Sequence, residues 1–396
     1  MGTIKNRAAK GLNACGLLLL LCLTLAACGG HAGNNAGNAG SAADKAYTLY
    51  GQWYRHYTGT IAGKPVHLNL TYYSQQLRGT YYYGNSGLPI GLYNGEDTTK
   101  GDTSQYLTED AETERNDNND YTNNAHWVVT FAGKGITGKW VSRDGKKMYD
   151  INLKEDYPAG TYQFDIAMAD SSAGMGIATA VTSYQVSMPG MEMNKDDKYF
   201  LDTVLIRDLG CEPSVSNDFV ACMHQRNGDY LQAVFADADT TDHDPADSLQ
   251  NHNESSQNSW VMYNEHGLVV FESLGYLYMG GAHGMYGSTY TCADVQGRRV
   301  WKLGDIMKVD TVKLMALIEL EARRQYKIKK GEQLGSQLLV DTIPVTDNIY
   351  FTESGITFNY GIYEIASYAD GQSSFYIPFS KVMDMLLPDF KKRIGL

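Results

Sequence analysis

The chain has 396 residues, with 33 Lys and Arg against 45 Asp and Glu, a formal net charge of −12. An acidic surface of this kind repels nucleic-acid phosphates, which excludes nucleic acid as a partner and favours a basic one. The length allows two or more domains with large cores, and the 29 tyrosines suit sheets and contact surfaces because the ring is apolar and its tip polar.

Lys5, Arg7 and Lys10 form a basic start, and Gly16 to Leu25 is an apolar run too short to span a bilayer as a permanent helix. It ends in Leu25-Ala26-Ala27-Cys28-Gly29, which resembles the bacterial lipoprotein signal. That resemblance implies a signal peptide over residues 1–27, a lipidated (palmitate-bearing) Cys28, and a lipid bilayer as partner through the acyl chains. Loss of residues 1–27 removes three basic groups and no acid, taking the charge to −15. Residues 28–46 are rich in Gly, Ala and Asn and read as a flexible tether. The expected location is the cell envelope, at the outer membrane, facing the periplasm or the cell surface.

Residues 47–155 form the first folded domain. Trp53 to Ile61, Lys64 to Tyr73 and Gln76 to Tyr83 read as strands, and Val66-His67-Leu68-Asn69-Leu70-Thr71 alternates with period two. Leu77-Arg78-Gly79-Thr80-Tyr81 and Ile136-Thr137-Gly138-Lys139-Trp140 are weak repeats, each with Gly at a crowded bend. Pro89 to Tyr93 and Met148 to Leu153 continue the alternation, which predicts a small antiparallel β barrel or sandwich. Residues 94–125, dense in acids and amides, read as a long loop without regular calcium-ligand spacing.

Residues 156–396 form the second domain. Tyr162 to Met168, Ala178 to Val186 and Tyr230 to Phe235 read as strands, and 196–207 as a weak helix. Asp237, Asp239, Asp242, Asp244 and Asp247, with His243 and His252, read as a solvated loop, with calcium as the alternative. Trp260 to Asn264 and Leu268 to Met279 make a hairpin around Glu265-His266-Gly267, and Thr289 to Val295 pairs with Val300 to Leu303. An amphipathic helix over Val312 to Tyr326 is capped by Asp305 or Asp310. Phe351 to Phe358 is a hairpin turning at Gly355, and the strand Phe375 to Pro378 leads to a last helix, Ser380 to Leu387, stopped by Pro388. The fold class is α+β, an antiparallel sheet with a few packing helices on one face. Of the cysteines beyond the signal, Cys211 and Cys222 form the simplest disulfide, and Cys292 reads as a buried thiol.

Gly280-Gly281-Ala282-His283-Gly284, Gly304-Asp305-Ile306, Tyr350 to Phe358, Tyr363 to Gly371 and Phe375 to Ser380 together match one pattern. They resemble the extracytoplasmic domain of the lysozyme-sensing anti-sigma factors, a domain of unknown function that also occurs in envelope lipoproteins. The likeness covers roughly residues 180–390. Residues 47–155 resemble the small β-domain that precedes it in lipoproteins of the Bacteroides group. The resemblance implies an α+β fold and protein recognition, and the acidic body suits a basic ligand. No sigma-binding segment is present, so signalling is not transferred.

No nucleophile elbow, phosphate loop, zinc-protease motif or tight Cys/His pairing occurs, so neither a metal nor a cofactor is assigned. The expectation is therefore a non-enzymatic, membrane-anchored lipoprotein that binds a lysozyme-like protein or a cell-wall glycan through His283, Tyr286, Glu364 and Tyr368. The alternative is an envelope hydrolase in which His283 works with Glu364 and Tyr368.

Overall fold

The computed structural model describes residues 51–84, 86–94, 104–110, 124–175, 178–214, 217–236 and 252–396. Cys28, the tether, and the acidic runs at 95–103, 111–123 and 237–251 lie outside them. The fold class is α+β.

Eight strands form the first domain: β1 (Trp53–Ile61), β2 (Lys64–Tyr73), β3 (Gln76–Tyr83), β4 (Ile90–Asn94), β5 (Ser104–Asp110), β6 (His126–Ala132), β7 (Gly135–Val141) and β8 (Met148–Glu155). Each pairs antiparallel with the next, and β1 pairs with β8 to close a barrel, which leaves no unpaired edge. The period-two alternation turns Val66, Leu68 and Leu70 inward, where they pack with Leu107, Trp127 and Leu153. The two repeat glycines sit where strands touch. A Cβ on Gly138 would lie 2.1 Å from the Val128 carbonyl oxygen, and one on Gly79 2.5 Å from that of Asn69.

The second domain is built on a six-stranded sheet. Its strands are β9 (Phe164–Met175), β10 (Ala178–Pro189), β11 (His252–Glu265), β12 (Leu268–Met279), β13 (Met285–Asp294) and β14 (Arg299–Trp301), in the order β14-β13-β12-β11-β10-β9. The sheet is mixed rather than antiparallel throughout, because β10 and β11 run parallel. Parallel neighbours need a crossover, and here it carries α1 (Lys195–Asp208) and α2 (Phe219–Ala236). Tyr230 to Phe235, expected as a strand, is the end of α2. Phe219, Cys222, Met223 and Asn227 share the buried face of that helix at helical spacing. Cys211 and Cys222 are disulfide-bonded, with Cα atoms 6.1 Å apart, and the bond ties the α1 end to α2.

The chain continues through α3 (Leu303–Ile306), α4 (Thr311–Gln325), β15 (Ile349–Phe351), β16 (Gly355–Tyr360), β17 (Ser373–Pro378), α5 (Phe379–Val382) and α6 (Pro388–Ile394), with β15, β16 and β17 forming a second sheet. Asp310 caps α4, its Oδ1 accepting from Lys313 N at 3.0 Å. Pro388 opens α6 instead of ending a helix, since a proline at the first turn sacrifices no hydrogen bond. The six-stranded sheet is covered on both faces, not one. Val269 and Phe271 of β12 pack with α1 and α2, while Leu268 and Val270 pack with α4 and the three-stranded sheet.

Candidate functional site

The barrel leans its outer face on β11. Residues that alternate with the inward Leu68 and Leu70 point outward, so His67 and Asn69 of β2 join Tyr54 and His56 of β1. The register pairs His56 with Asn69 and Thr58 with His67, which sets both histidines on one face. Tyr54 Oη donates to Asn69 Oδ1 at 2.6 Å, Asn264 Nδ2 donates to Tyr54 Oη at 2.9 Å, and Asn69 Nδ2 donates to the Met262 carbonyl at 2.9 Å. These bonds satisfy buried polar groups that an apolar seam would leave unpaired.

At one end of this seam stands Glu265, the last residue of β11. The next two residues, His266 and Gly267, both have positive φ (54° and 79°), the geometry of a two-residue hairpin turn. Glu265 is 4% exposed and its Oε1 is the meeting point of three groups. His56 Nε2 lies 2.8 Å away, His67 Nδ1 2.7 Å, and Tyr82 Oη, which donates to it, 3.0 Å. Tyr82 also stacks on His67, with ring centroids 5.3 Å apart and planes 2° from parallel.

Two details define the chemistry. His56 is fully buried, and its Nδ1 lies 2.7 Å from the Asp156 carbonyl oxygen. A carbonyl only accepts, so Nδ1 carries the hydrogen, and in the neutral ring Nε2 presents a lone pair to Glu265. The 2.8 Å separation is a hydrogen-bond distance, so a proton shared between Nε2 and Oε1 bridges the pair. His67 Nδ1 is close to Glu265 Oε1 yet forms no aligned hydrogen bond with it, so the short contact does not satisfy the nitrogen.

Burial pushes the Glu265 carboxyl up, but the close contacts and charge of His56 and His67 outweigh it and hold the group down at about 2. For His67, burial acts to lower the pKa, and Glu265 followed by Glu353 overcomes it and raises the group. The three donor atoms, His56 Nε2, His67 Nδ1 and a Glu265 oxygen, lie within 4.8 Å of one another. Two imidazoles and one carboxylate are the ligand set of a catalytic zinc site, which leaves the fourth position for water. The His56-to-carbonyl bond is the outer-shell contact that orients such a ligand. His67, with its side chain 28% exposed, connects the cluster to solvent.

A second buried carboxylate lies inside the barrel. Glu109 Oε1 accepts from Tyr81 Oη at 2.5 Å, Trp140 Nε1 at 2.6 Å and Trp127 Nε1 at 3.1 Å. Its donors all belong to the barrel, and it reads as a polar lock on that core.

The residues singled out in the sequence fall elsewhere. His283 is exposed and stacks on Tyr368 at 3.9 Å, its Nδ1 3.0 Å from the Gly284 carbonyl and its Nε2 3.3 Å from Tyr363 Oη. Tyr286 meets Tyr368 edge-on at 5.8 Å. Glu364 turns away from this group, its Oε2 accepting from the Gly361 backbone N–H at 2.8 Å. His283, Tyr286 and Tyr368 are thus brought together, and among the described residues no hydrogen bond joins His283 to Glu364. The cluster of His56, His67 and Glu265 overturns the expectation of a non-enzymatic binder, because it is a built, buried set of acid–base and metal-ligating groups. Neither histidine was singled out as a site residue in the sequence, although the hairpin register of β1 and β2 sets them on one face. Glu265, 209 residues beyond His56, carried no such signal.

Comparison with known proteins finds a family match over one segment. Residues 304–380 match the family described as a protein of unknown function (DUF3298). The crystal structure of a DUF3298 member from Bacteroides fragilis is similar at a TM-score of 0.51 and 20% identity, covering 60% of this chain and all of that one. A DUF3298 protein from Pseudomonas aeruginosa is similar at a TM-score of 0.41 and 17% identity, covering 57% of this chain and 96% of that one. No curated protein matches the chain. The Bacteroides likeness speaks to fold alone.

Proposed function

We propose that this protein is an envelope hydrolase that works through a divalent metal ion held by His56, His67 and Glu265. The observation that carries the reading is the convergence of His56 Nε2, His67 Nδ1 and a Glu265 oxygen within 4.8 Å of one another, with the other nitrogen of His56 committed to a backbone carbonyl. His56, His67 and Glu265 would hold a zinc-type ion, which would supply Lewis-acid activation of water and of the bond under attack. The protein's part is to hold three ligands in place. Asp156 fixes the His56 ring, Tyr82 stacks on His67 and donates to Glu265, and the buried seam keeps the set dry on its inner side.

The alternative centred on His283 keeps its reaction class and moves its centre. The envelope location belongs to the same proposal: the signal ending at Cys28 supports an acylated tether that holds the barrel near a membrane, and no described helix is long and apolar enough to cross one. The extracytoplasmic-domain resemblance supports the same placement.

The test loads the purified protein with Zn²⁺ and follows hydrolysis of an activated ester. The expected result is a rate that a chelator abolishes, Zn²⁺ restores and His56→Ala lacks. A rate indifferent to chelator and to His56→Ala sinks the proposal.

A further inference from the structure

The rim of the barrel at which β5 ends carries a second constellation, separate from His56, His67 and Glu265. Inward positions alternate along each strand, so Glu109 shares the inner side of β5 with the core residue Leu107, and Tyr149 that of β8 with Ile151. Trp127, Trp140 and Tyr149 are successive partners across β6, β7 and β8, and Trp140 stacks on Tyr149 with ring centroids 5.4 Å apart. Tyr81 meets Trp127 edge-on at 4.8 Å and Tyr83 at 5.8 Å. Five aromatic rings therefore line the inner wall beside one carboxylate, from the buried Trp127 to Tyr149, which is 41% exposed at the rim.

Glu109 answers these neighbours with one oxygen only. Its Oε1 takes the hydrogen bonds of Tyr81, Trp127 and Trp140. Three donors on one oxygen match an ionised carboxyl, which accepts and never donates. Among the described residues no donor reaches Oε2, yet Oε2 is not one of the fully enclosed polar atoms that lack a partner. It is therefore the atom through which Glu109, 5% exposed, meets solvent. Lys139, the neighbour of Trp140 in sequence, lies on the other side of its strand and donates to Asp150 Oδ1 at 2.5 Å. A carboxylate this buried, with neutral partners alone, carries a charge that nothing on the inner wall balances, and buried charges are normally paired.

The neighbours decide which cation balances it. One carboxylate oxygen among Trp and Tyr rings is no metal shell, since a resident ion takes three or more protein ligands. An organic ammonium fits both features, because its N–H donates to the carboxylate and its charge lies against the aromatic faces. We propose that this end of the barrel binds a primary alkylammonium group, with Glu109 Oε2 as its acceptor and Trp140 and Tyr149 as its aromatic wall. The locking role of Glu109 uses Oε1 and leaves Oε2 for the ligand. The site stands whether or not the histidine cluster holds a metal.

Titration of the folded protein with n-butylammonium, followed by tryptophan fluorescence and calorimetry, tests it against n-butanol at the same ionic strength. The expected result is saturable binding of the ammonium, about 5-fold or more tighter than the alcohol and weakened by about 5-fold or more in folded Glu109→Gln. Gln keeps an oxygen for the three donors and removes the charge. Should Glu109→Gln fail to fold, Tyr149→Ala at the exposed rim carries the test, with binding weakened about 3-fold or more. Nα-acetyl-lysine amide separates two sources of the group: tighter binding than n-butylammonium assigns a lysine side chain, and weaker binding a free amine. No saturation by the parent, or equal affinity for n-butanol, overturns the proposal. Unchanged affinity in folded Glu109→Gln does the same, as does unchanged affinity in Tyr149→Ala where the first variant does not fold.

Discussion

His56 Nε2 lies 2.8 Å from Oε1 of Glu265, a residue 209 positions later, while His56 Nδ1 is held 2.7 Å from the Asp156 carbonyl oxygen. A barrel strand and the end of a strand from the second domain thus share one fully buried ring. The same contact that joins the domains creates the donor set proposed to hold a metal, so stability and chemistry are coupled at this point. Substitution of Glu265 by Gln in the metal-free protein removes the charge that both histidines and Tyr82 face. The expected loss is on the order of 2–3 kcal/mol, with the buried His56 left facing a weaker partner. Urea unfolding of the variant beside the parent measures it, and a loss within about 0.5 kcal/mol, typical of an ordinary surface site, would contradict the coupling.

The pH dependence of the metal-free protein follows from the same carboxylate. Its folded pKa, about 2, lies below its ordinary value of 4.5. The ionised form is therefore the one the fold favours, and its contribution is present above pH 4.5 and lost as pH falls toward 2. Between those limits the parent should lose more thermal stability than Glu265→Gln, by on the order of 5 °C. Parallel melting curves of the two proteins across pH 2 to 5 check the sign as well as the size.

The barrel makes a sterically defined prediction. Gly138→Ala places a methyl 2.1 Å from the Val128 carbonyl oxygen, whereas Gly287→Ala meets nothing within 4 Å. The first should cost at least ~3 kcal/mol or prevent folding, and the second should be nearly neutral. Circular-dichroism melts of the two variants give the comparison, and equal Tm values would show that the strands do not approach as described.

These contrasts show what the sequence could and could not carry. The first three strands were legible because their alternation is local, and Gly79 and Gly138 marked real close approaches. α2 was not legible, because one face of the helix is closed by Asn227. Its buried amide is satisfied by the Ala169 carbonyl and the Thr182 hydroxyl, which only the folded chain supplies. The parallel pairing of β10 with β11 was hidden for a related reason, since its partner arrives after a two-helix crossover. The register of one hairpin sets His56 and His67 on one face, although neither was singled out in the sequence. Nothing in the spacing of residues connects them to Glu265.

The disulfide between Cys211 and Cys222 closes a short loop, with the two cysteines 11 positions apart. Chain-entropy arguments give a bond over such a loop about 3 kcal/mol of stabilisation. Urea midpoints with and without reductant, or with Cys211→Ser and Cys222→Ser together, should differ accordingly.

Cys292 gives the opposite behaviour. It is buried with a free thiol, and burial pushes that thiol up to about 12, so no thiolate forms near neutral pH. Alkylating reagents at pH 8 should leave it unmodified until denaturant opens the fold, as mass spectrometry of the intact protein reports. Rapid labelling of the native protein would contradict its placement in the core.

The claim on which the functional account rests is that His56, His67 and Glu265 hold a metal ion. Calorimetric titration of the chelator-treated protein with Zn²⁺ tests it most directly. The account predicts saturation at one ion per chain in the parent protein and loss of that site in folded His56→Ala and His67→Ala variants. No binding by the parent, or the same single site in both variants, would contradict it.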